Sequence, residues 1–150
     1  MTEKDYSGTP LHRKLGIKEG HAVAFVSDPP GFRNLLEPLP PGVEVRERPR
    51  GRPLDVVVLF ATKRSALARR FGTLARAIDP AGGLWVAWPK KASSIENDLS
   101  FEVVQRIGLD TGLVDNKSAS IDDAWQGLRF VVRKEDRAAW PIVLRRPTTA

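Results

Sequence analysis

Hydrophobic positions along the chain fall into unbroken apolar blocks and stripes spaced three and four residues apart, and the two patterns predict strands and helices in turn. Residues 54–61, Leu-Asp-Val-Val-Val-Leu-Phe-Ala, are β-branched and apolar on both faces, as in the central strand of a parallel sheet. Residues 84–89, Leu-Trp-Val-Ala-Trp-Pro, carry no charge, and their length and their flanking Gly82, Gly83 and Pro89 favour a second buried strand over a helix. Between them Leu67, Phe71, Leu74 and Ile78 form a helical stripe, with Arg64, Arg69, Arg70 and Arg76 mostly off it. Thr62 is the expected cap, Asp79-Pro80 the expected stop, and Gly82-Gly83 the expected turn into the next strand. Strand, helix and strand within residues 54–89 make a βαβ unit, whose crossover is right-handed.

The flanks follow the same logic. Residues 1–8 read as a mobile arm and 9–16 as a short helix, with Thr9 at the cap, Pro10 at the first position and Gly16 as the stop. Residues 21–27 read as the first strand, broken at Asp28-Pro29-Pro30-Gly31, and residues 32–36 as a brief helix ended by Pro38, Pro40 and Pro41. Residues 43–48 alternate apolar and charged side chains, the period of a half-exposed strand near a sheet edge. Residues 49–53 read as a basic loop and 92–97 as a polar one. Asp98 is expected to cap a helix carrying Leu99, Val103 and Ile107 and ending by Gly108 or Gly112. Two further strands, 113–121 and 128–133, are joined by a turn-rich segment, 122–127, as an antiparallel hairpin. The single α/β domain therefore spans 9–134, and for the tail, 135–150, an extra docked edge and a loose end both stay open.

Composition narrows the functional classes. A chain of 150 residues with 41% hydrophobic content fits one domain with its own core. The absence of cysteine excludes disulfides, thiolate metal sites and cysteine nucleophiles. A charged start and the lack of any long apolar run lead us to expect a soluble, cytoplasmic protein with no membrane partner. The net charge of +6 attracts anions. The aromatics are not interleaved with the basic runs as base-stacking platforms would require, so nucleic-acid binding through residues 46–52, Arg64, Arg69 and Arg70 is kept as an alternative.

Residues 54–60, followed by Ile78-Asp79-Pro80-Ala81-Gly82-Gly83-Leu84-Trp85-Val86, resemble the fourth strand, the Pro-Gly-Gly turn and the fifth strand of class I S-adenosylmethionine-dependent methyltransferases. One strand-helix unit is missing between Arg48 and Leu54. Longer phrases, 7–11, 84–93, 112–117 and 125–131, resemble a bacterial domain-of-unknown-function family, DUF 3052, over most of the chain. The resemblance implies a Rossmann-like three-layer α/β sheet, mostly parallel, with a C-terminal antiparallel hairpin: a truncated methyltransferase-like fold. It also implies S-adenosylmethionine as the cofactor, near Ser27 and Asp28 after the first strand. Two departures argue against that cofactor. Pro29 and Pro30 stiffen this loop and remove amide donors, and Arg46, Arg48 and Arg50 dominate where an acidic residue should hold ribose hydroxyls.

The expectation is accordingly a binding or regulatory module without catalysis, whose cleft at the strand C-terminal ends prefers an anion such as a phosphate-bearing small molecule. An S-adenosylmethionine- or nucleotide-dependent enzyme is the alternative. Lys90, Lys91, Ser93 and Ser94 follow a strand end and offer ammonium groups and hydroxyls beside Trp88, and Asn116 and Lys117 are expected at the same cleft. The plainer reading makes the first group an ordinary polar loop and the second a guarded edge strand. Trp125 reads as a plug on the sheet end or a ligand lid. His12 and His21 each lack a second spaced ligand, so no metal site is expected, and no catalytic residue is assigned.

Overall fold

The computed structural model describes residues 8–48 and 53–141. In chain order the elements are α1 (Leu11–Lys14), β1 (Ala22–Val26), α2 (Phe32–Leu35), β2 (Glu44–Arg46), β3 (Leu54–Phe60), α3 (Arg64–Ala77), β4 (Ile78–Pro89), α4 (Phe101–Thr111), β5 (Val114–Ser120), β6 (Trp125–Val131) and a 3-10 helix, Lys134–Ala139. The six strands form one sheet in the order β2-β1-β3-β4-β6-β5. β2, β1, β3 and β4 run parallel, and β6 lies antiparallel between β4 and β5. The fold is thus the mostly parallel Rossmann-like sheet with an antiparallel C-terminal hairpin.

The two faces are covered unequally. On one, α3 brings Leu67, Phe71, Leu74 and Ala75 and α4 brings Val104 against Val57, Leu59, Leu84, Val86, Trp88 and Phe130. Gly108 lets α4 approach closely: a Cβ there would stand 2.0 Å from the Phe130 ring. On the other face the one-turn helices and loops supply Leu15, Ile17, Phe32 and Leu36 against Val23, Phe25, Val58, Phe60 and Trp85. Trp85 is wholly buried there, and its indole Nε1 donates to the Leu15 carbonyl at 3.0 Å, which ties the end of α1 to the centre of the sheet.

Several local expectations change. Gly82 and Gly83 do not turn the chain, because β4 runs through them. Between the pairs Leu54 with Ile78 and Val56 with Gly83, residues 79–82 bulge opposite Asp55 alone, and the Asp79 carboxylate closes the bulge by accepting from the Ala81 amide at 2.9 Å. Gly82 is required by contact, since its Cβ would stand 2.7 Å from the Asp55 carbonyl oxygen. Thr62 does not cap α3, whose N-cap position is Lys63. Asp98 does so from across the fold, accepting from the Arg64 amide at 2.6 Å, and Ser100 caps α4 in its place by accepting from Val103. The hairpin turn is shorter than 122–127, because β6 already begins at Trp125, and Asp122 closes the turn by accepting from the Ala124 and Trp125 amides. The start of the tail is docked, with Trp140 partly buried against the α3 and α4 core. Residues 1–7 of the arm, 49–52 of the basic loop and 142–150 of the tail lie outside the described residues. Among those described, no helix is long and apolar enough to cross a membrane.

Candidate functional site

β1 leads to β2 on one side of the sheet and, through the following chain, to β3 on the other, so the strand order reverses between β1 and β3. In an open α/β sheet the crevice beyond the strand ends at such a reversal is where ligands bind. A cavity of about 290 Å³ lies there, walled by Leu59, Phe60, Leu67 and Trp125, with Ser27, Lys63 and Arg70 at its polar side. The Phe60 and Trp125 rings meet edge to face at 5.1 Å, which fixes both walls. Arg70, exposed on α3, donates through Nη1 to the Ser27 hydroxyl at 3.0 Å and so bridges the rim from helix to loop. Ser27 itself is held in the left-handed region at φ 58°, a conformation costing a non-glycine residue about 1 kcal/mol or more. The cavity is thus an apolar slot with two cations at its edge.

Beside it lies a carboxylate pair. Arg33 of α2 donates to Asp28 at 3.0 Å and to Glu47 at 3.1 Å, and these bonds, that to Asp28 foremost, raise its guanidinium above its ordinary pKa. Glu47 directly follows β2, so an acidic residue does stand at the end of the second strand, where the sequence pattern, dominated by arginines, offers no clear counterpart. Its neighbours Arg46 and Arg48 masked it in the sequence. Asp28 and Glu47 flank the cavity without lining it.

The residues expected to form the anion cleft are not brought together. Trp88 is buried in the core packed by α3 and α4. Lys90 donates through Nζ to the Ser120 hydroxyl at 2.7 Å, and the Ser93 hydroxyl donates to the Lys90 carbonyl at 2.9 Å, so both close the loop. Lys91 and Ser94 are exposed. Asn116 and Lys117 lie toward the other end of the sheet, because β5 is antiparallel to β6: Lys117 aligns with Arg129, and Arg129 with Trp85, whereas Lys90 stands five residues beyond Trp85, about 16 Å at ~3.3 Å per residue. They do sit on an edge strand, as the plainer reading had it. The His21 imidazole accepts from the Lys18 amide, and among the described residues no group of histidine and acidic side chains could hold a metal ion. Arg64 and Arg69 are exposed on α3, Arg46 pairs with Glu44, and Arg50 and Arg52 lie outside the described residues.

Sequence reasoning passed over Leu59, Phe60 and Lys63 as site residues. The available signal was positional: they end the most apolar strand, next to the point where strand order reverses.

No family model matches the chain, and no curated protein matches its sequence. Solved structures do match. A SAM-dependent methyltransferase from Aquifex aeolicus aligns at TM-score 0.56 and 16% identity, over 81% of this chain and 87% of that one. Magnesium protoporphyrin IX methyltransferase from Synechocystis PCC 6803, with bound SAH, aligns at TM-score 0.54 and 10% identity, over 82% of this chain and 78% of that one. The chain has a methyltransferase-like fold of the Rossmann type. At these identities the likeness concerns the fold.

Proposed function

We propose that this chain is a methyltransferase-type domain whose cavity between β1 and β3 takes an adenosyl-bearing small molecule of the S-adenosylmethionine class. The observation that carries the reading is the cavity itself: an apolar, aromatic-walled slot at the point of strand reversal, with Lys63 and Arg70 at its rim. A flat ring system gains affinity by burial against Leu59, Phe60 and Trp125. A carboxylate gains a charge-assisted hydrogen bond from the Arg70 guanidinium. Asp28 and Glu47 keep acceptor capacity beside the slot after bonding Arg33, which suits sugar hydroxyls. The stiff loop with Pro29 and Pro30 supplies fewer amides than a glycine-rich turn, so the side chains carry more of the recognition.

When bound, such a cofactor supplies an electrophilic methyl group. The chain's own part is to bind, orient and exclude water, since the slot is lined by no carboxylate or histidine that could remove a proton. The same reading covers a module that binds the ligand without turnover; methyl transfer to an acceptor separates the two. The neighbouring methyltransferase folds favour the enzyme over the non-catalytic module. On the phrases quoted above, the reading extends to the DUF 3052 family.

Calorimetric titration with S-adenosylhomocysteine and with adenosine tests it. Saturable binding of both is expected, with Arg70→Ala weakening S-adenosylhomocysteine about tenfold and adenosine little, because only the former has a carboxylate. Heat that is absent for both at millimolar ligand, or an equal loss for both in Arg70→Ala, contradicts the reading.

A further inference from the structure

At the opposite end of the sheet, where the parallel strands begin, a second cavity of about 430 Å³ opens between α1, the bulge of β4 and the edge strand β5. Five cationic side chains line it, Arg13, Lys14, Lys18, Lys117 and Arg129, against one carboxylate, Asp55. That carboxylate is already engaged, accepting from the Ala22 amide at 2.8 Å. Among the described residues, the ion pairs of this chain lie elsewhere, at Arg33, Arg46 and Arg106. Five cations therefore converge against a single carboxylate, and none of them forms an ion pair with it.

Arg129 is the most constrained of them. Its Nε is buried with no hydrogen-bond partner, and its Nη1 reaches Asn116 Oδ1 at 3.5 Å, the limit of a useful bond. Burial alone lowers the pKa of this guanidinium, with no carboxylate to offset it. Its room comes from Gly83, where a Cβ would stand 2.5 Å from Arg129 Nε. A half-buried guanidinium with no carboxylate partner and one weak hydrogen bond is costly to keep, and a native structure that keeps one calls for a further ligand. Lys117 is likewise held in place, donating to the Lys14 carbonyl at 2.9 Å, which links the β5 edge to the end of α1 and leaves its other ammonium protons available.

We propose that this cavity is an anion site for the phosphate group of a small phosphorylated metabolite, with Arg129 and Lys117 as its principal contacts and Arg13, Lys14 and Lys18 completing the positive rim. It is separate from the slot between β1 and β3 and does not depend on the ligand assigned there. It also gives the net charge a local purpose. The anion preference expected of the chain then belongs to the start of the strands, and Lys117 serves it from there without Lys90.

The probe is pyrophosphate, titrated calorimetrically at constant ionic strength, with sulfate as the comparison. The wild-type chain is expected to bind pyrophosphate saturably and more tightly than sulfate. Lys117→Ala, on an exposed edge, and Gly83→Ala, which pushes the Arg129 guanidinium aside, are each expected to weaken it about tenfold. Circular dichroism checks that both remain folded, and Lys90→Ala and Lys91→Ala, at the other end of the sheet, are expected to bind as the wild type does. No saturable binding, equal affinity in Lys117→Ala and Gly83→Ala, binding that follows ionic strength alone, or binding to single-stranded RNA without binding to pyrophosphate would each overturn the assignment.

Discussion

At the end of the sheet where β1 and β3 finish, apolar side chains make the walls and two cations sit at the rim; at the end where those strands begin, five cations line the space. The difference comes from what covers each end. Beyond β3 the chain turns at once into α3, and Phe60 and Trp125 close the gap edge to face. Before β1 the one-turn α1 stops short and leaves Arg13 and Lys14 beside a sheet whose edge strand is polar. An apolar slot with cations only at its rim suits a flat ring, whereas five cations converging against one carboxylate suit an anion. One scaffold therefore offers two recognition chemistries some distance apart.

The largest expected effect removes what both ends share. Trp85→Ala deletes the buried indole that ties β4 to α1, and a loss of about 3–5 kcal/mol in chemical denaturation is expected, as for other buried tryptophans. A loss below about 1 kcal/mol would show that α1 is held some other way. Gly83→Ala sharpens the contrast between the ends: it displaces a flexible guanidinium and not backbone, so stability is expected to stay within about 1 kcal/mol while pyrophosphate binding falls and S-adenosylhomocysteine binding does not. A parallel loss of both ligands would mean that the ends are coupled. The smallest effect concerns the start of α3: Asp98→Ala removes a cap worth about 1 kcal/mol, and because Lys63 lies at that helix start, it is expected to weaken S-adenosylhomocysteine by a few fold and leave pyrophosphate unaffected.

The strands were readable where burial on both faces left only apolar residues, as in residues 56–60 of β3. They were misread where composition served contact. Gly82 and Gly83 look like a turn, yet they stand in β4 because the Asp55 carbonyl and the Arg129 guanidinium occupy the space of a side chain. Asp98 looks like the cap of the helix beside it, but its carboxylate reaches the first amide of α3, thirty-four residues away. Of the candidate site residues, Ser27 directly follows β1, within one residue of where the strand pattern ends that strand, while its candidacy came from the methyltransferase resemblance. Lys117 was grouped with Lys90 because the turn count of a hairpin does not say which end of the sheet each residue reaches. Arg129 alternates with Leu128 and Phe130 and so reads as solvent-facing; only the gap above Gly83 shows that it enters the protein.

Arg70→Ala, titrated with S-adenosylhomocysteine and adenosine, is the most direct measurement of the central claim. The account predicts that both ligands bind the wild-type chain, that Ala66→Trp at the lining of the slot abolishes both, and that Arg70→Ala costs about tenfold for S-adenosylhomocysteine alone. Undiminished binding in Ala66→Trp would place the ligand elsewhere on the protein and contradict it.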